Sequence, residues 1–500
     1  MEFNFFGKTF QWIFLLIILA ELLSLTVYLL PPLNQAAFFI ILGITLILAL
    51  IKLDYGIYIV LTELFIGGHG HLFAIDINGL TISIRIGLFL MILMAWVVKS
   101  QISNLKSQNY TSKIKTKSYK LEAKSLIYFL LFITILIGII NGLLNNNPAN
   151  VFFDTNAWFY FALLPVFLTT LKEKQKIENI LQILTGATTY LSLKTIAVLF
   201  LFAQNFAGIG GWFYHWIRAS GVGEVTYISG TLFRIFFQSQ LYVLIGFFIV
   251  LTFLINQLKI KDWKKILPPI LYLYLTSLVI FISQSRSYWV GAAAALIFLI
   301  ILGTWRLKIK LKKIALLITA IAVVLISQFY LIEFITGNYA GNLVAQRFKN
   351  LPQEAAGISR LNQLKPLSQA IFQKLIFGWG FGKTLTYESR DPRVLQTHPD
   401  GIYTTYAFEW GYLDIWLKLG LFGLVAYLTL ISYLFYLGIQ KSKVKSQNSN
   451  SKFKIINVGL LIGLIALVIT NIFSPYLNHP LGIGYIILVT AIFNEHKLEF

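Results

Sequence analysis

The arginines of this chain are the residues whose type and placement suggest chemistry. Eight of nine flank apolar segments or lie in one long polar segment: Arg85, Arg218, Arg234, Arg286, Arg347, Arg360, Arg390 and Arg393. A guanidinium is a planar fork of donors that can bind phosphate oxygens in pairs. The set predicts a site for a polyanionic ligand. For any single arginine, helix capping or pairing with a carboxylate is the alternative.

Three arginines are the main candidates for contact with such a ligand. Arg286, in SQSRSYWVGAAAAL, lies where two apolar segments leave almost no room for a loop. A charge there is costly unless a partner or a ligand neutralises it. Arg234, in GTLFRIFFQSQ, is predicted to open an apolar segment, and Arg360 lies in the polar segment. Arg218 and Arg85 are supporting candidates, with an interfacial anchor as the alternative for Arg85.

Two side chains are candidates for a base that activates a hydroxyl group. His398 is the only histidine between residues 336 and 411, and Glu409 lies where that segment meets the next apolar run. A carboxylate partly removed from water would be a better base there. Alternatively, His398 is an exposed loop residue and Glu409 pairs with an arginine. Asp414 would orient the base or pair with Lys418, four residues on.

Composition places these residues in a membrane protein. The chain has 500 residues, 57% of them hydrophobic, and no cysteine, which excludes disulfides and cysteine-ligated metals. Apolar runs of about 17–25 residues predict membrane-spanning helices and exclude an outer-membrane barrel. The first apolar run, which has no small-residue cleavage site, is predicted to be a span and not a cleaved signal.

Fourteen apolar segments are predicted, or twelve if two are partial spans. They cover about 10–30, 36–51, 54–66, 84–98, 125–144, 156–171, 178–203, 234–256, 266–283, 287–303, 313–335, 412–437, 456–473 and 481–494. Lysines gather in alternate short loops, which predicts that those loops and both termini are cytoplasmic. The net charge of +21 is then mostly an orientation signal, and no nucleic-acid partner is expected.

The predicted organisation has three parts. Residues 1–335 would form the first eleven transmembrane helices, with a lysine-rich cytoplasmic linker at 99–124. Residues 336–411 would form one large extracytoplasmic loop, and residues 412–500 the last spans. Within the loop, apolar residues from 361 to 375 recur at helical spacing, which predicts a peripheral helix that Pro366 interrupts or starts. Glycines at 378, 380 and 382 then predict a turn, called the glycine turn (378–382) below.

Short motifs in the second half carry a family resemblance. SQSRSYWVGAAAAL, RLNQLKPLSQAIFQKLIFGWGFG and GYLDIWLKLGLFGLVAYL resemble, in order and spacing, motifs of the O-antigen ligase and O-antigen polymerase superfamily. The similarity covers roughly residues 270–440. It implies an all-α polytopic, GT-C-like bundle of about 12–14 helices with one large outer loop. Tyr412, which opens the last motif, becomes a supporting candidate.

The resemblance also implies a reaction. Such proteins move a glycan from a polyprenyl-pyrophosphate carrier to an acceptor hydroxyl on a lipid, glycan or protein, at the outer face of the cytoplasmic membrane. No cofactor and no metal are expected. Outer arginines would bind the pyrophosphate, and a histidine in the large loop would activate the acceptor.

The sequence departs from the family pattern at this histidine. Eleven residues before the Gly-Leu-x-Gly motif, where members have a His-Asn pair, this chain has Glu409 and Trp410. Either Glu409 replaces the usual base or His398 reaches the site. Two other functions stay open: a metal-dependent polyprenyl-phosphate glycosyltransferase, and a lipid-linked glycan flippase or transporter without chemistry.

Overall fold

The protein is a bundle of apolar helices with three short β-hairpins between them. The computed structural model describes residues 4–67, 72–77, 80–108, 123–206, 210–221, 223–257, 263–305, 311–337, 355–442 and 451–494. Arg347 and most of the predicted linker lie outside these ranges. Within them, ten helices are long and apolar enough to cross a membrane, or eleven if one bent pair forms a single span. The prediction of an all-α polytopic membrane protein is confirmed.

The helices follow the predicted apolar segments closely. They are α1 Lys8–Leu29, α2 Leu33–Ile51, α3 Leu53–Ile66, α4 Ile84–Gln108, α5 Ala123–Asn145, α6 Pro148–Thr155, a 3₁₀ helix Trp158–Leu163, α7 Leu164–Thr170, α8 Lys174–Ala203, α9 Gly210–Gly221, α10 Gln240–Gln257, α11 Trp263–Ser283, α12 Arg286–Trp305, α13 Leu311–Thr336, α14 Ala355–Gln373, α15 Pro392–Thr397, α16 Gly411–Lys441, α17 Ser451–Thr470 and α18 Pro480–Asn494. All fourteen predicted segments contain helix, but α3, α10 and α18 are short.

Each hairpin pairs two antiparallel strands that are neighbours in sequence. They are β1 Ala74–Ile77 with β2 Leu80–Ser83, β3 Gly223–Ser229 with β4 Leu232–Phe237, and β5 Leu385–Glu388 with β6 Ile402–Thr405. The second hairpin corrects one prediction, because Arg234 lies on β4 and does not open a span. The segment LFRIFF is rich in aromatic and β-branched residues, which favour a strand, and Gly230 makes the turn before it with φ +58°.

The centre of the bundle is built from helices that are buried on all sides. Helix α10 packs against α17, and α17 packs against α12. Around them, α1 contacts α8, α2 contacts α4, and α5 contacts α16. Helices at the outside of the bundle, such as α1 and α2, expose many apolar side chains that can contact lipid. A helix that is apolar all round can be buried without an amphipathic pattern, which explains why α10 and α17 carry so few charges.

The predicted peripheral helix is present as α14, and it runs through Pro366 without interruption. Its buried face carries Leu367 and Ile371, which pack against Phe408 and Leu417. Leu361 is 61% exposed and does not belong to that face. The helix is therefore held by the start of α16, at the boundary between the large loop and the next span.

The glycine turn docks into a break in α16. At Gly420 the backbone leaves the helical conformation, with φ 70° and ψ −178°. Such a break frees amide and carbonyl groups, which must find other partners when water is absent. The segment 375–380 supplies them through four hydrogen bonds: Leu421 N to Leu375 O (2.8 Å), Phe422 N to Ile376 O (3.2 Å), Trp379 N to Leu417 O (2.8 Å) and Gly380 N to Lys418 O (3.0 Å).

Candidate functional site

A cavity of about 460 Å³ lies at the end of the bundle where α3 ends and α4, α10 and α16 begin. The loops before α16 and α18 complete its wall. Its charged and titratable lining residues are Glu63, Arg85, Asp154, Asp414, Lys418 and His479, together with Tyr160 and Tyr406. We call it the charged cavity. It brings together residues from distant parts of the chain, most of which no sequence motif had grouped.

One wall of the charged cavity is an ion triad centred on Lys418. The ammonium group is 2.6 Å from Asp154 Oδ1 and 2.7 Å from Asp414 Oδ1, and the Lys418 side chain is only 3% exposed. Asn478 Nδ2 also donates to Asp414 Oδ2. Of the two roles predicted for Asp414, orienting a base or pairing with Lys418, the structure shows the pairing. Asp154 lies in the last turn of α6, whose N-cap is Asn147, and its carboxylate faces Lys418 of α16.

The triad also holds the glycine turn. Gly382 N donates to Asp154 Oδ2 at 2.8 Å, so one carboxylate bonds both a lysine on α16 and the turn that fills the break in α16. Asn146 Nδ2 adds bonds to the carbonyl oxygens of Trp379 (3.1 Å) and Phe381 (2.8 Å). The cavity wall and the joint between loop and helix are therefore one connected unit.

Another part of the cavity wall is an ion pair between Arg85 and Glu63. Arg85 Nη2 lies 2.9 Å from Glu63 Oε1, and Arg85 Nε donates to both carboxylate oxygens. Arg85 was predicted to be a supporting site residue, with an interfacial anchor as the alternative, and its side chain is 17% exposed and lines the cavity. Because Glu63 neutralises the charge of Arg85 inside the protein, the arginine side chain can be buried at a lower cost in free energy.

His479 contributes a polar group that stays neutral. Burial and, second, the positive charge of Arg85 lower the pKa of His479 to about 3. Leu481 N donates to Nδ1 at 3.3 Å, which places the proton of the neutral ring on Nε2. His479 is thus a hydrogen-bond donor at neutral pH and a poor base. The sequence offered no sign of this role, since His479 lies 81 residues beyond the only histidine in the predicted loop.

We expect acid to destabilise the protein through His479. Its pKa is lower in the folded state than in the unfolded chain, where it is about 6.5, so the unfolded chain takes up the proton first. Stability should therefore fall as pH drops below about 6.5, by at most about 1.4 kcal/mol per pH unit. Thermal unfolding between pH 7.5 and 5 checks this. His479→Gln should flatten the pH dependence, and an unchanged slope in that variant would contradict the role assigned to His479.

A second group of charges gathers around the hairpin β3–β4. Arg393 Nη1 lies 2.6 Å from Glu224 Oε1, and Arg234 Nη1 lies 3.5 Å from Glu224 Oε2. Arg393 also pairs with Asp391 at 2.6 Å. The hydrogen bonds from Arg393, and to a smaller extent the charge of Arg218, lower the pKa of Asp391. One carboxylate on a hairpin therefore joins an arginine of β4 to an arginine of the large loop.

Arg286 lies next to this group in the fold. Arg234 Nε donates to the carbonyl oxygen of Ser283 at 2.9 Å, at the end of α11. Arg286 begins α12 three residues later, as the sequence predicted for a tight break between two spans. We call Arg218, Arg234, Arg286 and Arg393, with Glu224 and Asp391, the arginine cluster.

The remaining predicted site residues lie elsewhere. Arg360 forms an ion pair with Glu409, and both side chains are partly exposed, at 35% and 45%. His398 is exposed and contacts Thr397 Oγ1 through Nδ1 at 2.9 Å. Tyr412 donates to the backbone of Val468 on α17 at 2.8 Å. Among the described residues, Glu409, His398 and Tyr412 are not part of the lining of the charged cavity.

Comparison with known protein families agrees with the motifs found between residues 270 and 440 of the sequence. The family model described as O-Antigen ligase matches residues 271–428. That range runs from α11 into α16 and includes Arg286, Arg360, Arg393, the glycine turn and the break at Gly420. No curated protein matches the chain. The resemblance is confirmed: residues 271–428 of this polytopic membrane protein carry the O-antigen ligase domain of the O-antigen ligase and polymerase superfamily.

Proposed function

We propose that the protein transfers a glycan from a polyprenyl-pyrophosphate carrier to an acceptor hydroxyl at the outer face of the cytoplasmic membrane. The bond between the anomeric carbon and the pyrophosphate oxygen breaks, and a bond to the acceptor oxygen forms. The polyprenyl pyrophosphate leaves, and the acceptor proton passes to a base. The O-antigen ligase match over residues 271–428 is the observation that carries the proposal.

The arginine cluster is the proposed site of the pyrophosphate. Guanidinium groups can bind the oxygens of a polyanion in pairs, and Arg234 and Arg393 are already held close together by Glu224. A pyrophosphate would take the place of this carboxylate between the two guanidinium groups. Charge developing on the leaving group would then meet preorganised donors, which lowers the barrier to transfer.

The charged cavity is the proposed site of the acceptor sugar. Three carboxylates and two cations give it a formal charge of −1 with His479 neutral, which disfavours a pyrophosphate and suits a hydroxyl-rich ligand. Within the described chain, Tyr160 Oη and Asn478 Oδ1 are buried and have no hydrogen-bond partner. Unsatisfied buried groups cost about 1–3 kcal/mol each, and sugar hydroxyls would satisfy them.

Loss of the arginine cluster should weaken transfer. We expect Arg234→Ala and Arg393→Ala each to lower kcat/KM by about 10- to 100-fold, because a hydrogen bond to a charged group contributes about 1.5–3 kcal/mol. The assay follows transfer in proteoliposomes with a polyprenyl-pyrophosphate-linked donor. Arg390→Ala is the matched control, since Arg390 is exposed and only approaches Glu388 at 3.6 Å. Full activity of both cluster variants would overturn the pyrophosphate assignment.

A separate experiment identifies the base. Glu409 occupies the position at which family members have a histidine, and His398 is the histidine of the large loop, so both stay candidates. Glu409→Gln is expected to lower kcat by about 100-fold or more if it is the base. Because Glu409 also pairs with Arg360, the variant Arg360→Gln controls for the loss of that ion pair. Loss with His398→Ala alone would assign the base to His398.

A further inference from the structure

Two lysines of the large loop pack against one tryptophan. Lys374 Nζ lies 4.2 Å and Lys383 Nζ 4.0 Å from the centre of the Trp379 ring. Within the described residues, no carboxylate lies within 4 Å of either ammonium group. Burial and then the charge of Lys374 lower the pKa of Lys383. Two like charges held on one ring, without a carboxylate partner, form a place where an anion would be stabilising.

Trp379 holds this pair in a fixed position. Its indole Nε1 donates to the carbonyl oxygen of Ala370 at 2.8 Å, and its backbone N–H donates to Leu417. Both cations therefore share a ring that is anchored on α14 and α16. A cation over an indole face is attracted by the electrons of the ring, so the ring keeps the two ammonium groups near each other despite their repulsion.

The segment between the two lysines lies beside a membrane span. Leu375 and Ile376 accept hydrogen bonds from Leu421 and Phe422, which belong to the part of α16 beyond its break. Apolar side chains of the same segment are open to the surroundings: Phe372 is 75% exposed, Ile376 58% and Phe377 53%. Exposed apolar groups beside a span face lipid. Lysine and tryptophan are typical of the boundary between the lipid chains and water.

We propose that Lys374, Lys383 and Trp379 bind the phosphate group of an anionic phospholipid whose acyl chains lie on Phe372, Ile376 and Phe377. Charge favours an anion, and the adjoining apolar surface favours one that carries hydrocarbon chains. The lipid would fasten the segment that completes the broken backbone of α16. This site shares no residue with the arginine cluster, where Glu224 pairs with both Arg234 and Arg393, and it does not depend on the proposed transfer reaction.

Lipid binding by the purified full chain tests the proposal. Native mass spectrometry in neutral detergent would compare the dissociation constants of dioleoyl phosphatidylglycerol and dioleoyl phosphatidylcholine. An anionic lipid near the surface gains about 1 kcal/mol per lysine. We therefore expect phosphatidylglycerol to bind about 30-fold more weakly to the double variant Lys374→Gln/Lys383→Gln. Lys365→Gln, an exposed lysine of α14, is the matched control and should bind as the wild type does.

Other outcomes would overturn the assignment. Equal binding of phosphatidylglycerol by the double variant and the wild type would exclude the two lysines. Competition by inorganic phosphate at similar concentration would indicate a free anion and not a lipid. Tighter lysine-dependent binding of farnesyl pyrophosphate than of phosphatidylglycerol would indicate a site for the polyprenyl substrate. A second variant, Phe377→Ser, should weaken phosphatidylglycerol binding, and equal binding by this variant and the wild type would exclude the apolar surface as the seat of the acyl chains.

Discussion

Replacing Lys418 with methionine is expected to destabilise the protein by about 3–5 kcal/mol, because it leaves two carboxylates without their cation in a buried place. Asp414 and Asp154 both lie within 3 Å of its ammonium group, and their side chains are 2% and 10% exposed. Without Lys418, Asp154 would no longer be held in the position in which it accepts the hydrogen bond from Gly382 N. The substitution should therefore disturb both the glycine turn and the charged cavity.

Neutralising the triad should restore most of that stability. The triple variant Lys418→Met/Asp154→Asn/Asp414→Asn leaves no buried charge of the triad without a partner. Neutral side chains of similar shape are often tolerated in place of a buried ion pair. Thermal unfolding in detergent compares the single variant, the triple variant and the wild type. Lys365→Met, on the exposed side of α14, should have little effect. A single variant as stable as the wild type would mean that the triad carries little of the folding energy.

Gly420→Ala is expected to prevent the loop from docking onto α16. With φ 70° and ψ −178°, Gly420 has a conformation that is nearly restricted to glycine and costs other residues about 1–3 kcal/mol. A Cβ atom at this position would also overlap the carbonyl oxygen of Ile376. That oxygen belongs to the segment 375–380, which pairs with the backbone of α16 at its break. The segment and α16 therefore cannot move apart without leaving backbone groups unpaired. We expect loss of the folded protein, not a small shift.

Gly380→Ala should behave in the same way for a related reason. Gly380 has φ +82°, and a Cβ atom there would overlap the backbone of Gly142 on α5. Gly43 of α2 is the matched control, since no atom lies within 4 Å of its Cβ position. Gly43→Ala should be neutral or stabilise by up to about 1 kcal/mol through helix propensity. Yield of monodisperse protein and its Tm measure both effects, and a well-folded Gly420→Ala variant would contradict the docked joint.

Local patterns predicted the spans and the family motifs well. Apolar run lengths located the fourteen helical segments, and the break before Arg286 was recognised from the absence of room for a loop. The pairing of Asp414 with Lys418 followed from their spacing of four residues on a helix. These features depend on neighbouring residues along the chain, so the sequence contains what is needed to infer them.

Long-range pairing was not predictable in the same way. Arg234 was assigned to a span, because the apolar run FRIFF continues into α10 and hides a strand. Asp154 was not singled out as a site residue, because its partner Lys418 is 264 residues away in the sequence. Arginine placement predicted a polyanion site but not the carboxylates, such as Glu224 and Glu63, that hold the arginines. The partner of a charge depends on which helices become neighbours.

The sequence by itself determined that this is an all-α polytopic membrane protein with O-antigen ligase motifs, because hydrophobic run length and short motifs are local properties. Only the tertiary structure decided that the glycine turn fills a break in α16 and that a triad of distant charges forms one wall of a cavity. In lipid, every freed backbone group and buried charge must find a partner inside the protein. Which partner it finds is settled by packing, and packing joins residues hundreds of positions apart.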